Sequence, residues 1–144
     1  MEDPELLESC RQRLRAAGAR CTDPRLRVLG AVCAQGGHLT VTEIHRLITA
    51  HGRNINISTA YRSVDRLVQL GLLHGVRGVG GELSYGLADE PHHHALCTGC
   101  GRVFEFPSHL VAEGLAAAGR HTGFRAEELL ISGRCLDCQA QHGC

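Results

Sequence analysis

The sequence has no tryptophan and no lysine, one methionine, two tyrosines and three phenylalanines. With so few large rings, a core drawn from its 43% hydrophobic residues must be aliphatic. Thin aliphatic cores in small lobes lean on a metal or a partner subunit. No run of 18 apolar residues is present, which excludes a membrane-spanning helix of ordinary length. The opening Met1-Glu2-Asp3-Pro4-Glu5 has neither the basic start nor the apolar run of a signal peptide. A soluble, cytoplasmic protein is expected. In that compartment the eight cysteines are not a disulfide framework. The 144 residues suit one compact domain or two small ones.

The formal net charge is zero, but the charges are divided along the chain. Residues 9–77 hold eleven arginines (11, 13, 15, 20, 25, 27, 46, 53, 62, 66 and 77) against three acids (23, 43 and 65). Residues 89–144 hold four arginines against seven acids. A basic first half and an acidic second half, rich in metal-binding side chains, point to a polyanion on one side and cations on the other.

The densest chemistry lies in His92-His93-His94-Ala95-Leu96-Cys97-Thr98-Gly99-Cys100. A second Cys-x-x-Cys, Cys135 to Cys138, follows about 35 residues later. Two such pairs provide four soft ligands for one closed tetrahedral zinc site, formed by Cys97, Cys100, Cys135 and Cys138. A redox Cys-x-x-Cys normally stands alone, so the doubled pattern argues against that use. Cys10, Cys21 and Cys33 read as small core fillers. In the tail, His142 and Cys144 read as disordered rather than liganding.

Periodicity predicts a first helix over 4–17, ended by Gly18, and a second from an Asp23 N-cap with Pro24 at N1 to Gly36-Gly37. Thr40 or Thr42 can cap a short third helix through Ile44, Leu47 and Ile48. Ser58 is expected to cap a fourth, over about 59–70, with Ala60, Val64, Leu67 and Val68 buried. Its other face carries Ser58, Tyr61, Arg62, Asp65, Arg66 and Gln69. Strands over 76–78 and 83–87 flank Val79-Gly80-Gly81-Glu82 as a hairpin. Three helices followed by such a hairpin make a winged helix-turn-helix, whose last helix enters the major groove of DNA. Residues 88–91 read as a hinge. Beyond it, strands over 95–97, 103–106 and 124–132 and a helix over 110–118 form a small α/β lobe. The expected class is α+β, with a winged-helix DNA-binding domain over 1–88 and a zinc-stabilised dimerisation and metal-sensing domain over 89–144.

This order of parts resembles the ferric uptake regulator (Fur) family of bacterial metal-dependent repressors, over nearly the whole chain. The matching residues are Thr22-Asp23-Pro24-Arg25, Ser58-Thr59-Ala60-Tyr61-Arg62, Gly80-Gly81, the His92–Cys100 stretch and Cys135-Leu136-Asp137-Cys138. The resemblance implies a non-enzymatic, homodimeric, cytoplasmic repressor controlling metal-uptake or peroxide-response genes from operator DNA. It implies Arg20 in the minor groove, Arg25 on phosphate, and Ser58, Thr59, Tyr61 and Arg62 on the recognition helix, with Tyr61 and Arg62 reaching base edges. It implies a structural Zn2+ and one exchangeable Fe2+, Mn2+ or Zn2+ on His38, His92, His94 and Glu105. His74, which matches a ligand position of zinc sensors, and His93 are further candidates. His92 and His94 alternate along an extended segment and so share a face. Departures are present. Gly86 stands where members often carry an acid or cysteine ligand, and Pro91 replaces the first histidine of a His-x-His-x-His run. The usual histidine before the last strand is missing, with Glu127 or Glu128 nearby. These count against a second metal site of His93, Glu113 and Glu127 or His121. A zinc-dependent hydrolase or deaminase, the rival class, could use His92, His94 and Glu105. It lacks the His-x-Glu and Pro-Cys-x-x-Cys signature and leaves the basic half without a task.

Overall fold

The structure, a computed structural model, describes residues 3–89, 92–126 and 128–141. The hinge residues 90 and 91, Glu127, His142 and Cys144, on which expectations were placed, lie outside the described residues. The chain divides into two compact units, Met1–Asp89 and Glu90–Cys144.

The first unit runs α1 (Pro4–Ala16), α2 (Asp23–Gln35), β1 (Leu39–Thr40), α3 (Val41–Ala50), α4 (Ile57–Gln69), β2 (Leu73–Arg77) and β3 (Leu83–Leu87). Local chemistry sets most of these ends. The Asp3 carboxylate accepts from the Glu5 amide in front of Pro4, satisfying one of the amides a helix start leaves open. Thr40 and Glu43 close a reciprocal capping box on α3. The N-caps of α2 and α4 differ from expectation: Thr22 and Asn56 hold them, without a side-chain cap bond. Asp23 is instead the first residue of α2, and its carboxylate accepts from Arg27 Nε at 3.2 Å. α4 therefore starts two residues earlier than expected, and Ser58 lies inside its first turn.

Leu14, Leu26, Val28, Leu29, Val32, Ile44, Ile48, Val64, Leu67 and Leu73 form one core where the four helices meet the wing. Each such burial contributes on the order of 1.5–3 kcal/mol. In α4 it is Ser63, not Val68, that joins Ala60, Val64 and Leu67 inside, and Val68 is 37% exposed. At 100° per residue, position 63 stays beside 60, 64 and 67 while 68 turns outward. Cys10 and Cys33 pack with sulfurs 3.7 Å apart between α1 and α2, whereas Cys21 is exposed and fills no core. The wing is a three-stranded sheet of order β1-β3-β2, because the two-residue β1, unforeseen in the sequence, pairs with β3 at Leu39–Tyr85 and Thr40–Ser84.

The second unit contains β4 (His92–Cys97), β5 (Val103–Pro107), α5 (Ala112–Thr122), β6 (Leu130–Gly133) and α6 (Leu136–Ala140). Its sheet has order β5-β4-β6, with β4 antiparallel to β5 and parallel to β6. The helix lies later than the expected 110–118, since residues 108–110 form a separate single turn. The expected strand over 124–132 shortens to β6. Gly123, left-handed at φ 68°, ends α5, and the Phe124 amide donates back to Thr122 Oγ1, which turns the chain before it can pair. Among the described residues of this unit, the only buried apolar side chains are Leu96, Cys97 and Cys138. α5 and β6 bury none.

Candidate metal centres and nucleic-acid interface

The two Cys-x-x-Cys knuckles meet at one end of the β4 strand. All four sulfurs, of Cys97, Cys100, Cys135 and Cys138, lie within 4.8 Å of one another. Cys100 and Cys135 are 3.8 Å apart. A tetrahedral site with zinc–sulfur bonds of about 2.3 Å has edges of about 3.8 Å, so the donor set fits zinc. Gly99 lets the halves close, because a Cβ there would lie 2.9 Å from Cys138 Sγ. Backbone amides of Cys135 and Cys100 donate to Cys97 Sγ at 3.3 and 3.5 Å. These bonds, that of Cys135 foremost, pull the Cys97 thiol down to about 5. The Arg102 side chain lowers Cys100, while the hydrogen bond with Cys97 and then burial push Cys138 up to about 12. Arg102 spans both knuckles: Nε donates to Cys100 Sγ and Nη2 to Cys135 Sγ, each at 3.3 Å, and Nη2 also reaches Asp137 at 2.5 Å. A bound ion would take all four sulfurs as thiolates and release their protons.

The second donor set of this unit begins at the same strand. The ring centroids of His92 and His94 lie 4.8 Å apart on one face of β4. His92 Nε2 is 3.6 Å from the Glu105 carboxylate on β5. His94 is 1% exposed, and its Nδ1 lies 3.0 Å from Glu128 Oε1. Burial first, then the neighbouring His92, lowers the His94 pKa, so the ring is neutral at pH 7 and suited to ligation. His93 points to the other face, where its Nδ1 accepts the Leu129 amide at 3.0 Å beside Phe106.

In the first unit, His45 Nε2 and His51 Nδ1 meet the backbone carbonyls of Ile55 and Leu47, both at 2.8 Å. His38 and His74 instead face each other, Nε2 to Nε2 at 2.9 Å. Gly86, opposite His74 in the β2–β3 ladder, makes this possible. A Cβ at Gly86 would stand 2.9 Å from His38 Nε2 and 3.0 Å from the Gly37 carbonyl. The missing Cβ at Gly86 thus admits His38 beside His74. Gly86→Ala is expected to break the His38–His74 hydrogen bond at a stability cost of about 1–3 kcal/mol. Imidazole 15N shifts identical to the parent's would show that the pair accommodates the methyl.

The exposed face of α4 is polar apart from Ile57, Tyr61 and Val68. Ser58 and Arg62 are exposed, Thr59 is half-buried and Tyr61 is 50% exposed. Arg62 Nη2 donates to Thr59 Oγ1 at 3.4 Å. Arg20 is exposed between α1 and α2, and its carbonyl accepts Arg25 Nη1 at 3.1 Å. Several of the eleven N-terminal arginines also serve the unit internally: Arg27 is buried and paired with Asp23, Arg13 pairs with Asp89, and Arg77 donates to the Gly81 carbonyl. Arg102 and the link of Glu128 to His94 were missed from sequence. An arginine two residues after a ligand cysteine was the available signal for the first; the second depends on strand pairing.

The model of the ferric uptake regulator family matches residues 16–132. The ferric uptake regulation protein of Bordetella parapertussis is 30% identical over 130 residues, covering 88% of this chain and 94% of that protein. The ferric uptake regulator from Pseudomonas aeruginosa with manganese is similar at a TM-score of 0.72 and 25% identity, over 88% of this chain and 97% of that one. A zinc-bound manganese uptake regulator is similar at a TM-score of 0.68 and 26% identity, over 88% and 98%.

Proposed function

This chain belongs to the ferric uptake regulator family, and from that premise we propose how its residues divide the work of a metal-responsive transcriptional repressor. Members of the family regulate transcription and are not enzymes, so the zinc hydrolase or deaminase reading is set aside. Cys97, Cys100, Cys135 and Cys138 hold a structural zinc. His38, His92, His94 and Glu105 hold the exchangeable ion, with His74 as an added ligand in place of the acid missing at Gly86. The observation that carries this reading is that donors already converge within each unit, His38 on His74 and His92 on both His94 and Glu105. His93 is left out, because its Nδ1 is engaged by the Leu129 amide.

Four imidazoles to one carboxylate is a nitrogen-rich set. It shifts preference among Fe2+, Mn2+ and Zn2+ towards the borderline ions Fe2+ and Zn2+. The metal-uptake or peroxide-response genes under control follow from which of these is sensed. His74 favours the zinc-sensing branch, and His38 the iron, manganese or peroxide branches. An ion ligated by residues of both units restricts their relative orientation, which shifts the population towards the DNA-binding form.

Helix α4 reads the operator from the major groove through Tyr61 and Arg62, with Ser58 and Thr59 beside them and Arg20 and Arg25 on the backbone and minor groove. The second unit pairs two copies: Phe104, Leu110, Phe124, Leu130, Ile131 and Leu136 are all exposed, apolar side chains that a partner copy would cover. No described helix is long and apolar enough to cross a membrane, in keeping with a cytoplasmic regulator. The test is retention of duplexes selected from a random pool, with each divalent ion added back. Arg62→Ala is expected to cost about 1–3 kcal/mol of operator affinity and to relax specificity. Unchanged affinity and selectivity in the metal-loaded variant would remove Arg62 from the interface.

A further inference from the structure

We propose that Glu128 is a positioning residue for the exchangeable ion, fixing which nitrogen of His94 can ligate. The inference rests on the assignment of His94 as a ligand made above. Glu128 stands just before β6, the strand that pairs parallel to β4 with Leu130 opposite His94. This register brings the Glu128 carboxylate to 3.0 Å from His94 Nδ1, while the His94 amide donates to the Leu129 carbonyl at 3.2 Å. An ionised carboxylate can only accept a hydrogen bond, so the proton of the neutral ring must sit on Nδ1. The lone pair then lies on Nε2. A carboxylate on the far nitrogen of a ligand histidine fixes the ring's orientation and raises its basicity.

The adjoining residue has the reverse arrangement. His93 Nδ1 accepts the Leu129 amide at 3.0 Å, which puts its proton on Nε2. Residues 128 and 129 thus impose opposite tautomers on two neighbouring histidines. One is prepared to ligate through Nε2, and the other is withdrawn into backbone bonding. Because the His94 side chain is 1% exposed, water does little to relax this choice. A Glu128 that merely decorated the surface would have no such effect on the ring.

The experiment combines imidazole 15N spectra of the full-length protein, bearing only its structural zinc, with titrations of Zn2+ into the exchangeable site. Parent, Glu128→Ala, Glu128→Gln and His94→Ala are compared, with structural zinc content as the control for folding. In the parent, His94 should show the Nδ1-protonated pattern. Glu128→Ala should give a mixture of tautomers and weaken exchangeable Zn2+ binding about 10–100-fold. Glu128→Gln, whose side-chain carbonyl still accepts, should restore the tautomer and most of the affinity. An alanine variant with the parent's tautomer and affinity overturns the proposal. So does a glutamine variant that keeps the tautomer but binds as weakly as alanine, since Glu128 would then be a ligand itself. If His94→Ala binds Zn2+ like the parent, the underlying assignment of His94 fails, and that outcome is distinct from the other two.

Discussion

Replacing any one of Cys97, Cys100, Cys135 or Cys138 with serine is expected to release the structural zinc and unfold the second unit while the first stays folded. The reason lies in how little else holds that unit. Its buried apolar side chains among the described residues are Leu96, Cys97 and Cys138, worth roughly 1.5–3 kcal/mol each at most. Ordering the backbone alone opposes folding by about 1–2 kcal/mol per residue. Structural zinc in small sites contributes an apparent 10–16 kcal/mol or so at neutral pH, the scale of a whole domain's net stability. The first unit has its own aliphatic core from Leu14 to Leu73 and is expected to fold without metal. Zinc content, a melt resolved into two transitions and sedimentation should therefore change together, with dimer content falling. A serine variant that kept its zinc and melted like the parent would sink the assignment.

His38→Ala and His92→Ala should behave in the opposite way. Both are expected to remain folded dimers with full structural zinc, and to lose the gain in operator affinity that added metal produces. Couplings between sites are typically worth about 1–3 kcal/mol, a gain of roughly 5–150-fold. Anisotropy titrations of operator DNA, with and without metal, read this directly. His74→Ala should give an intermediate loss, because His74 shares the ion's environment through its 2.9 Å contact with His38. Should the His38 and His92 variants both respond to metal like the parent, the sensing ion is held elsewhere.

The sequence alone determined the features that depend on short spacing. Two Cys-x-x-Cys pairs define a four-thiolate set before any fold is known, because each knuckle is a local turn. The apolar period of α4 separated Ala60, Val64 and Leu67 from Tyr61 and Arg62, and Gly80-Gly81 between two apolar runs announced the wing. The same local reasoning erred where a position sits at the edge of a stripe, as with Val68, exposed, and Ser63, buried. Only the tertiary structure decided the pairings between distant strands. The Glu128 contact with His94 spans 34 residues and exists because β6 pairs parallel to β4 in one register. A slip of one residue would turn the opposite face of β6 to His94. The His38–His74 contact spans 36 residues and requires both the β2–β3 ladder and the absence of a Cβ at Gly86. Arg102 reaches Cys135 across 33 residues only once the knuckles have closed. Spacing along the chain pointed to the four cysteines and to His92 and His94 as candidate ligands; strand register decided that His94 meets Glu128.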